Sequence, residues 1–200
     1  MVKRFYTSVS IGQTEAGYFV ALDAHRLKTP AKRDLDLPTR ALATAVAEEW
    51  EAQDEEILPA AMPIMRLVAT AVDHVGHALD ATVASFVEYA DSDMLLYRAE
   101  TPAKLMQHQE ENWSKILAWA QKRFDLAFNV TNGVLPVDQP AGNAARLTKI
   151  AGRDVFRVSG LAHGAALLGS AILTLALEAE EISAERAHAL SNLDALFQID

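Results

Sequence analysis

The hydrophobic period of this chain changes once, near Pro38, and that change limits the fold more than any other feature of the sequence. Before Pro38 the apolar residues alternate with period two. "FYTSVSIGQ" (Phe5 to Gln13) and "GYFVALD" (Gly17 to Asp23) are rich in β-branched and aromatic residues and flank a Thr-Glu-Ala-Gly turn, which predicts a hairpin. "HRLKTP" and "RDLDLP" predict two further short strands. After Pro38 the period becomes helical: Thr39 precedes "RALATAVAEEWEAQ", in which Leu42, Val46 and Trp50 recur at helical spacing. Helices are predicted over Met62 to Val75, Thr82 to Tyr89, Pro102 to Phe124, Gly142 to Ile150, Val158 to Glu180 and Ser183 to Phe197, with almost no strand signal between them. Ser183 can start the last of these, because its hydroxyl can accept from an orphan backbone N–H. The expected fold is α+β: a small antiparallel β domain over residues 1–38 and a larger helical domain over residues 39–200.

Composition removes several classes of function. The 200 residues are 50% hydrophobic and 22% charged, with a net charge of −9. Nucleic acid is an unsuitable partner, since phosphate binding needs clustered Lys and Arg and only "KTPAKR" (Lys28 to Arg33) approaches that. A partner with a basic surface suits the overall charge better. With no cysteine there is no disulfide, zinc thiolate or iron–sulfur site, and a cytosolic monomer is expected. The N-terminus lacks the apolar run of a secretory signal. "LAHGAALLGSAILTLAL" (Leu161 to Leu177) is apolar, but it is short for a membrane span and carries His163, Ser170 and Thr174. It is expected to be a helix buried in a bundle, with Gly160, Gly164 and Gly169 admitting close neighbours.

Catalytic motifs are missing. There is no phosphate loop, no dinucleotide-binding glycine fingerprint, no His-Glu-x-x-His and no nucleophile elbow, so no nucleotide chemistry is expected. His74 and His77, with Asp73 and Asp80, could share a metal, although polar residues at a helix end are the commoner explanation. Glu48, Glu49, Glu51, Asp54, Glu55 and Glu56 could supply carboxylate pairs, but a solvated helix face with Trp50 turned inward explains them as well. "DSDMLLYRAE" (Asp91 to Glu100) gathers two aspartates, a tyrosine and an arginine around an apolar run. Asp93 and Arg98 could pair across a helix break, with Met94, Leu95 and Leu96 filling the core between them.

Several longer stretches go beyond what composition explains. "LDAHRLKTPAK", the Ala-Glu-Glu-Trp-x-Ala-Gln stretch from Ala47, the Met-Pro-x-x-Arg-Leu stretch from Met62, "DSDMLLYRAETPAKLMQHQEENWSKILAWA", "GVLPVDQP", "LGSAILTLAL" and "NLDALFQ" occur in that order over nearly the whole chain. Together they resemble the assembly chaperones of the F(1) head of ATP synthase, the factors that hold the unassembled alpha subunit. The resemblance implies a bacterial relative of a mitochondrial factor, with a small β domain, a helical domain, no cofactor and no catalysis. It implies that Asp93, Tyr97, Arg98, Gln109 and Trp113 position helices, and that the alpha subunit is held until the beta subunit displaces it. It also implies a client contact near the C-terminal end, where Asp194, Phe197 and Gln198 are the candidates. Two departures stand out: Ala195 occupies a position where relatives carry a carboxylate, and the sequence ends at "FQID" where relatives continue into a Trp-Gly segment and an acidic tail. The other readings are a helical-bundle adaptor and a small cofactor-independent enzyme using Asp91, Asp93, Glu100 or His108, which requires convergence of these side chains in one pocket.

Overall fold

The structure, a computed structural model, describes residues 2–198. They form an α+β chain in two compact units that divide after Ala78. The first unit holds β1 (Val2–Lys3), β2 (Val9–Thr14), β3 (Gly17–Leu22), β4 (His25–Arg26), α1 (Arg40–Glu51), β5 (Glu56–Ile57) and α2 (Pro63–Asp73). The second holds α3 (Leu79–Asp91), β6 (Tyr97–Arg98), α4 (Ala103–Phe124), β7 (Thr131–Asn132), α5 (Asn143–Ala151), α6 (Val155–Leu168), α7 (Ala171–Glu178), α8 (Ala184–Ser191) and α9 (Leu193–Phe197).

In the first unit β2 and β3 form the expected hairpin, with Ile11 opposite Val20, and β4 extends it antiparallel to β3. "RDLDLP" contributes isolated bridges, Lys28 to Asp34 and Tyr18 to Leu37, in place of a strand. Gly12 leaves room for the Phe19 ring, which lies where a Cβ would stand. The other sheet pairs β1 with β5, residues far apart in sequence. Thr39 starts α1, its hydroxyl accepting from the Leu42 N–H at 3.2 Å. This helix packs on β2 and β3, and its buried Ala43 and Val46 join Val20, Leu35 and Leu37 in the core. Glu49, read in the sequence as one of several solvated carboxylates, instead accepts from the Ile64 and Met65 N–H groups, both at 2.7 Å. It thereby satisfies orphan donors in the first turn of α2 and places a negative charge at the positive end of that helix.

Pro38 marks the change from strand to helix, whereas packing divides the chain forty residues later. The reason is burial: a hairpin of two six-residue strands cannot cover its own apolar face, and α1 is the element that covers it.

In the second unit α7 is the central element. Residues Ala171 to Ala176 are all buried, and α7 packs against α3, α4, α6 and α8. Phe86, Trp113, Leu147 and Leu190 are among the other large side chains of this core. The single helix expected over Val158 to Glu180 is two helices. Gly169 ends α6 with φ 66°, a left-handed conformation, and Ser170 starts α7 by accepting from the Leu173 N–H at 2.9 Å. Of the three glycines expected to admit neighbours, Gly164 does so against Thr174, Gly169 serves as the cap, and Gly160 has nothing within 4 Å of a built Cβ. The last expected helix is also broken, at Asn192 between α8 and α9. Ser183 starts α8 as predicted, accepting from the Arg186 N–H at 3.2 Å. One short parallel pair, β6 with β7, has no counterpart in the sequence reading.

Candidate functional site

Asp93 is fully buried, and its contacts decide how the decapeptide is used. One oxygen accepts from the Leu95 N–H at 3.1 Å, starting a 3-10 turn over Met94–Leu96. The other accepts from the Ser170 hydroxyl at 2.8 Å and the Ile172 N–H at 3.0 Å. One carboxylate therefore fixes two chain segments and holds the serine that caps α7. Burial pushes its pKa up to about 6, against the opposing pull of the Ile172, Ser170 and Leu95 donors.

The pairing expected between Asp93 and Arg98 does not form, because helix-start donors already occupy the carboxylate. Arg98 is buried with its guanidinium 5.2 Å from the Trp113 ring centroid, and it donates to the Ser114 hydroxyl at 3.1 Å. Among the described residues its Nε and Nη1 have no hydrogen-bond partner. Burial lowers its pKa, while Glu110 and Asp194 act in the opposite direction.

Gln109 and Trp113 lie four apart on α4, on one buried face. The Gln109 carbonyl oxygen accepts from the Ala99 N–H at 2.8 Å, and its amide donates to Asp194 Oδ1 at 2.8 Å. Trp113 Nε1 donates to the Leu190 carbonyl at 3.0 Å. These two side chains tie α8 and α9 to α4. Tyr97, half-buried, stands opposite Thr131 in the β6–β7 pair.

Above this frame lies a groove of about 560 Å³, floored by Ala189, Leu190, Leu193, Leu196 and Phe197 and edged by Lys104, His108 and Arg186. Phe197 is thus in the groove, whereas Asp194 turns to Gln109 and Gln198 is exposed beyond α9 without lining it. Lys104 and Arg186 were not singled out as site residues in the sequence. Their place beside Phe197 depends on α4 lying against α9, which helical spacing does not encode.

The first unit has a groove of its own, about 440 Å³, lined by apolar residues including Phe5, Trp50, Met62 and Met65. Arg26 and Lys28 at its edge are already paired with Asp36 and Asp34, each at 2.7 Å.

The side chains needed by an enzyme reading do not share either groove. Asp93 is sealed in the core, Asp91 and Glu100 are exposed and line neither groove, and only His108 lines one. Among the described residues no group of three or more His, Cys, Asp or Glu could hold a metal. Asp73 accepts from Thr29 and Ala31, and Asp80 pairs with Arg153. No helix among the described residues is long and apolar enough to cross a membrane.

A family profile described as ATP12 chaperone protein matches residues 3–121, more than half of the chain. The chain belongs to the ATP12 chaperone family. Atp12 from Paracoccus denitrificans is similar over 98% of this chain and 85% of its own, at 40% identity and TM-score 0.92. Its D202K mutant gives the same values. The Agrobacterium tumefaciens protein Atu1473, which carries a provisional chaperone assignment, is 36% identical over 98% of this chain and 74% of its own, at TM-score 0.93. Membership of the ATP12 family makes this an ATP synthase assembly chaperone, in agreement with the resemblance seen in the sequence.

Proposed function

We propose that this chaperone binds the unassembled alpha subunit of the F(1) sector in the bacterial cytoplasm and covers its subunit interface until the beta subunit displaces it. It does so without catalysis. An unpaired subunit exposes apolar surface that its neighbour later buries, and a holder with no energy source can protect that surface only by reversible, competitive burial. The observation that carries this reading is the apolar groove at α4, α8 and α9, which contains Phe197 and lies beside Asp194 in a chain of a chaperone family. Asp194 contributes by holding α9 through Gln109, and Phe197 contributes apolar surface. Gln198 is exposed after α9, and in this proposal it meets the client at the margin of the same contact.

The reading is tested by pull-down with separately expressed alpha and beta subunits. Capture of alpha, released on addition of beta, is the expected result. Capture of beta without alpha overturns it.

A further inference from the structure

We propose that the groove at α4, α8 and α9 receives a client segment that presents a carboxylate next to an apolar side chain, so that the docking site has the opposite sign to the chaperone as a whole. The inference rests on the chaperone reading above and specifies the chemistry of the client at that site.

The chain carries a net charge of −9, which by itself favours a basic partner. The groove does not follow that average. Its charged and titratable lining among the described residues is Lys104, His108 and Arg186, with no carboxylate. Three arginines of the second unit meet acids directly: Arg146 with Asp125 at 2.9 Å, Arg153 with Asp80 at 2.6 Å and Arg157 with Glu178 at 2.6 Å; what sets the groove apart is that its cations stand together beside an apolar floor. Among the described residues neither Lys104 nor Arg186 has such an ion pair. Among the described residues Arg186 donates to the neutral Asn112 amide oxygen and to no carboxylate. Asp194, the acid of α9, turns to Gln109 and does not line the groove.

The floor adds the second half of the specificity. Leu196 is 43% exposed, and Phe197 joins it in the groove. A volume of about 560 Å³ lies within the roughly 300–1,000 Å³ of ordinary binding pockets, so a few large apolar side chains fit. A wholly apolar segment would leave two cations partly desolvated without a partner, and a basic segment would meet like charge. A segment that combines an apolar side chain with a carboxylate satisfies both floor and rim.

The test uses the full-length chaperone and purified alpha subunit. Lys104→Glu/Arg186→Glu is compared with Lys122→Glu/Lys149→Glu, two exposed lysines outside the groove whose reversal changes the net charge equally. The groove pair is expected to weaken binding roughly 30-fold or more and the control pair less than about 3-fold. The difference should narrow as salt rises toward about 1 M. Thermal unfolding is measured on each variant. Should the reversed pair melt early, Lys104→Gln/Arg186→Gln replaces it, with an expected loss of about 5- to 10-fold. Equal losses from groove and control pairs, or no loss from the groove pair, overturn the proposal. Failure of the wild type to bind alpha at all overturns the chaperone reading instead, so the two failures are distinguishable.

Discussion

The two grooves are both apolar and both edged by basic side chains, yet they differ in what has been done with the charge. In the first unit two of the three cations at the groove, Arg26 and Lys28, are matched by Asp36 and Asp34, and Arg66 has no ion pair among the described residues. In the second, Lys104 and Arg186 have no carboxylate beside them among the described residues. A paired cation at a surface contributes little to stability and little to attraction, because its field is largely cancelled nearby. An unpaired one remains available to a partner. Apolar area alone therefore does not distinguish the grooves.

The helices that wall the grooves differ in the same way. Each unit uses an acid from another element to start a helix: Glu49 serves α2, whose Met65 and Arg66 line the first groove, and Asp93 serves α7, on which α8 rests. Asp93 is fully buried, and Glu49 is half-exposed. The largest effect is expected from Asp93→Ala, which strands the Ser170 hydroxyl and the Leu95 and Ile172 N–H groups. The loss should be about 3 kcal/mol or more, lowering the melting temperature by roughly 6–12 °C. A fall below about 1 kcal/mol would remove the distinction between the two anchors.

The same residue predicts a dependence on pH. Its pKa rises on folding from 3.8 to about 6, so the folded chain holds more proton there than the unfolded chain between those values. That contribution to stability is complete below the unfolded value and is lost as pH rises through the folded one. The destabilisation caused by Asp93→Ala should accordingly be greater at about pH 4.5 than at about pH 7.5. Denaturant titrations of both proteins at the two pH values check the sign.

Glu49→Ala should cost less, about 1 kcal/mol, since water can reach the freed N–H groups of α2. Urea titration of the variant tests that figure. Binding of the alpha subunit should be unchanged, and a loss of binding beyond the loss of stability would make the first groove a client site as well. The smallest effect is expected from Arg98→Met. Removing a buried cation whose Nε and Nη1 lack partners should leave stability unchanged or raise it by up to about 1 kcal/mol. A loss above about 2 kcal/mol would mean that Arg98 is held by more than Trp113 and Ser114.

Much of the fold was legible because it follows from period: the hairpin, Thr39 as a helix start, and α4 over nearly its full length. The breaks were less so. "LGSAILTL" contains a Gly-Ser pair that is a sufficient stop-and-start signal, but its apolar surroundings resemble one continuous buried helix. Phe197 reached the groove by family resemblance, and Lys104 and Arg186 could not be recognised because they converge only through packing between residues some eighty positions apart. Glu49 illustrates the same limit: a carboxylate within an acidic run looks solvated until the helix it caps has been placed.

The contact between Asp93 and Ser170 spans 77 residues, and this gives the molecule a timetable. At about 5–20 residues per second, a ribosome delivers the serine roughly 4–15 s after the aspartate. Throughout that interval α3 exists without the element that will organise it, and the strands and α1 of the first unit have already had time to assemble. The groove exists only once α8 and α9 have followed. Two walls of this groove, α8 and α9, are therefore the last of the described elements to leave the ribosome, and the groove is assembled only after translation has passed through α9.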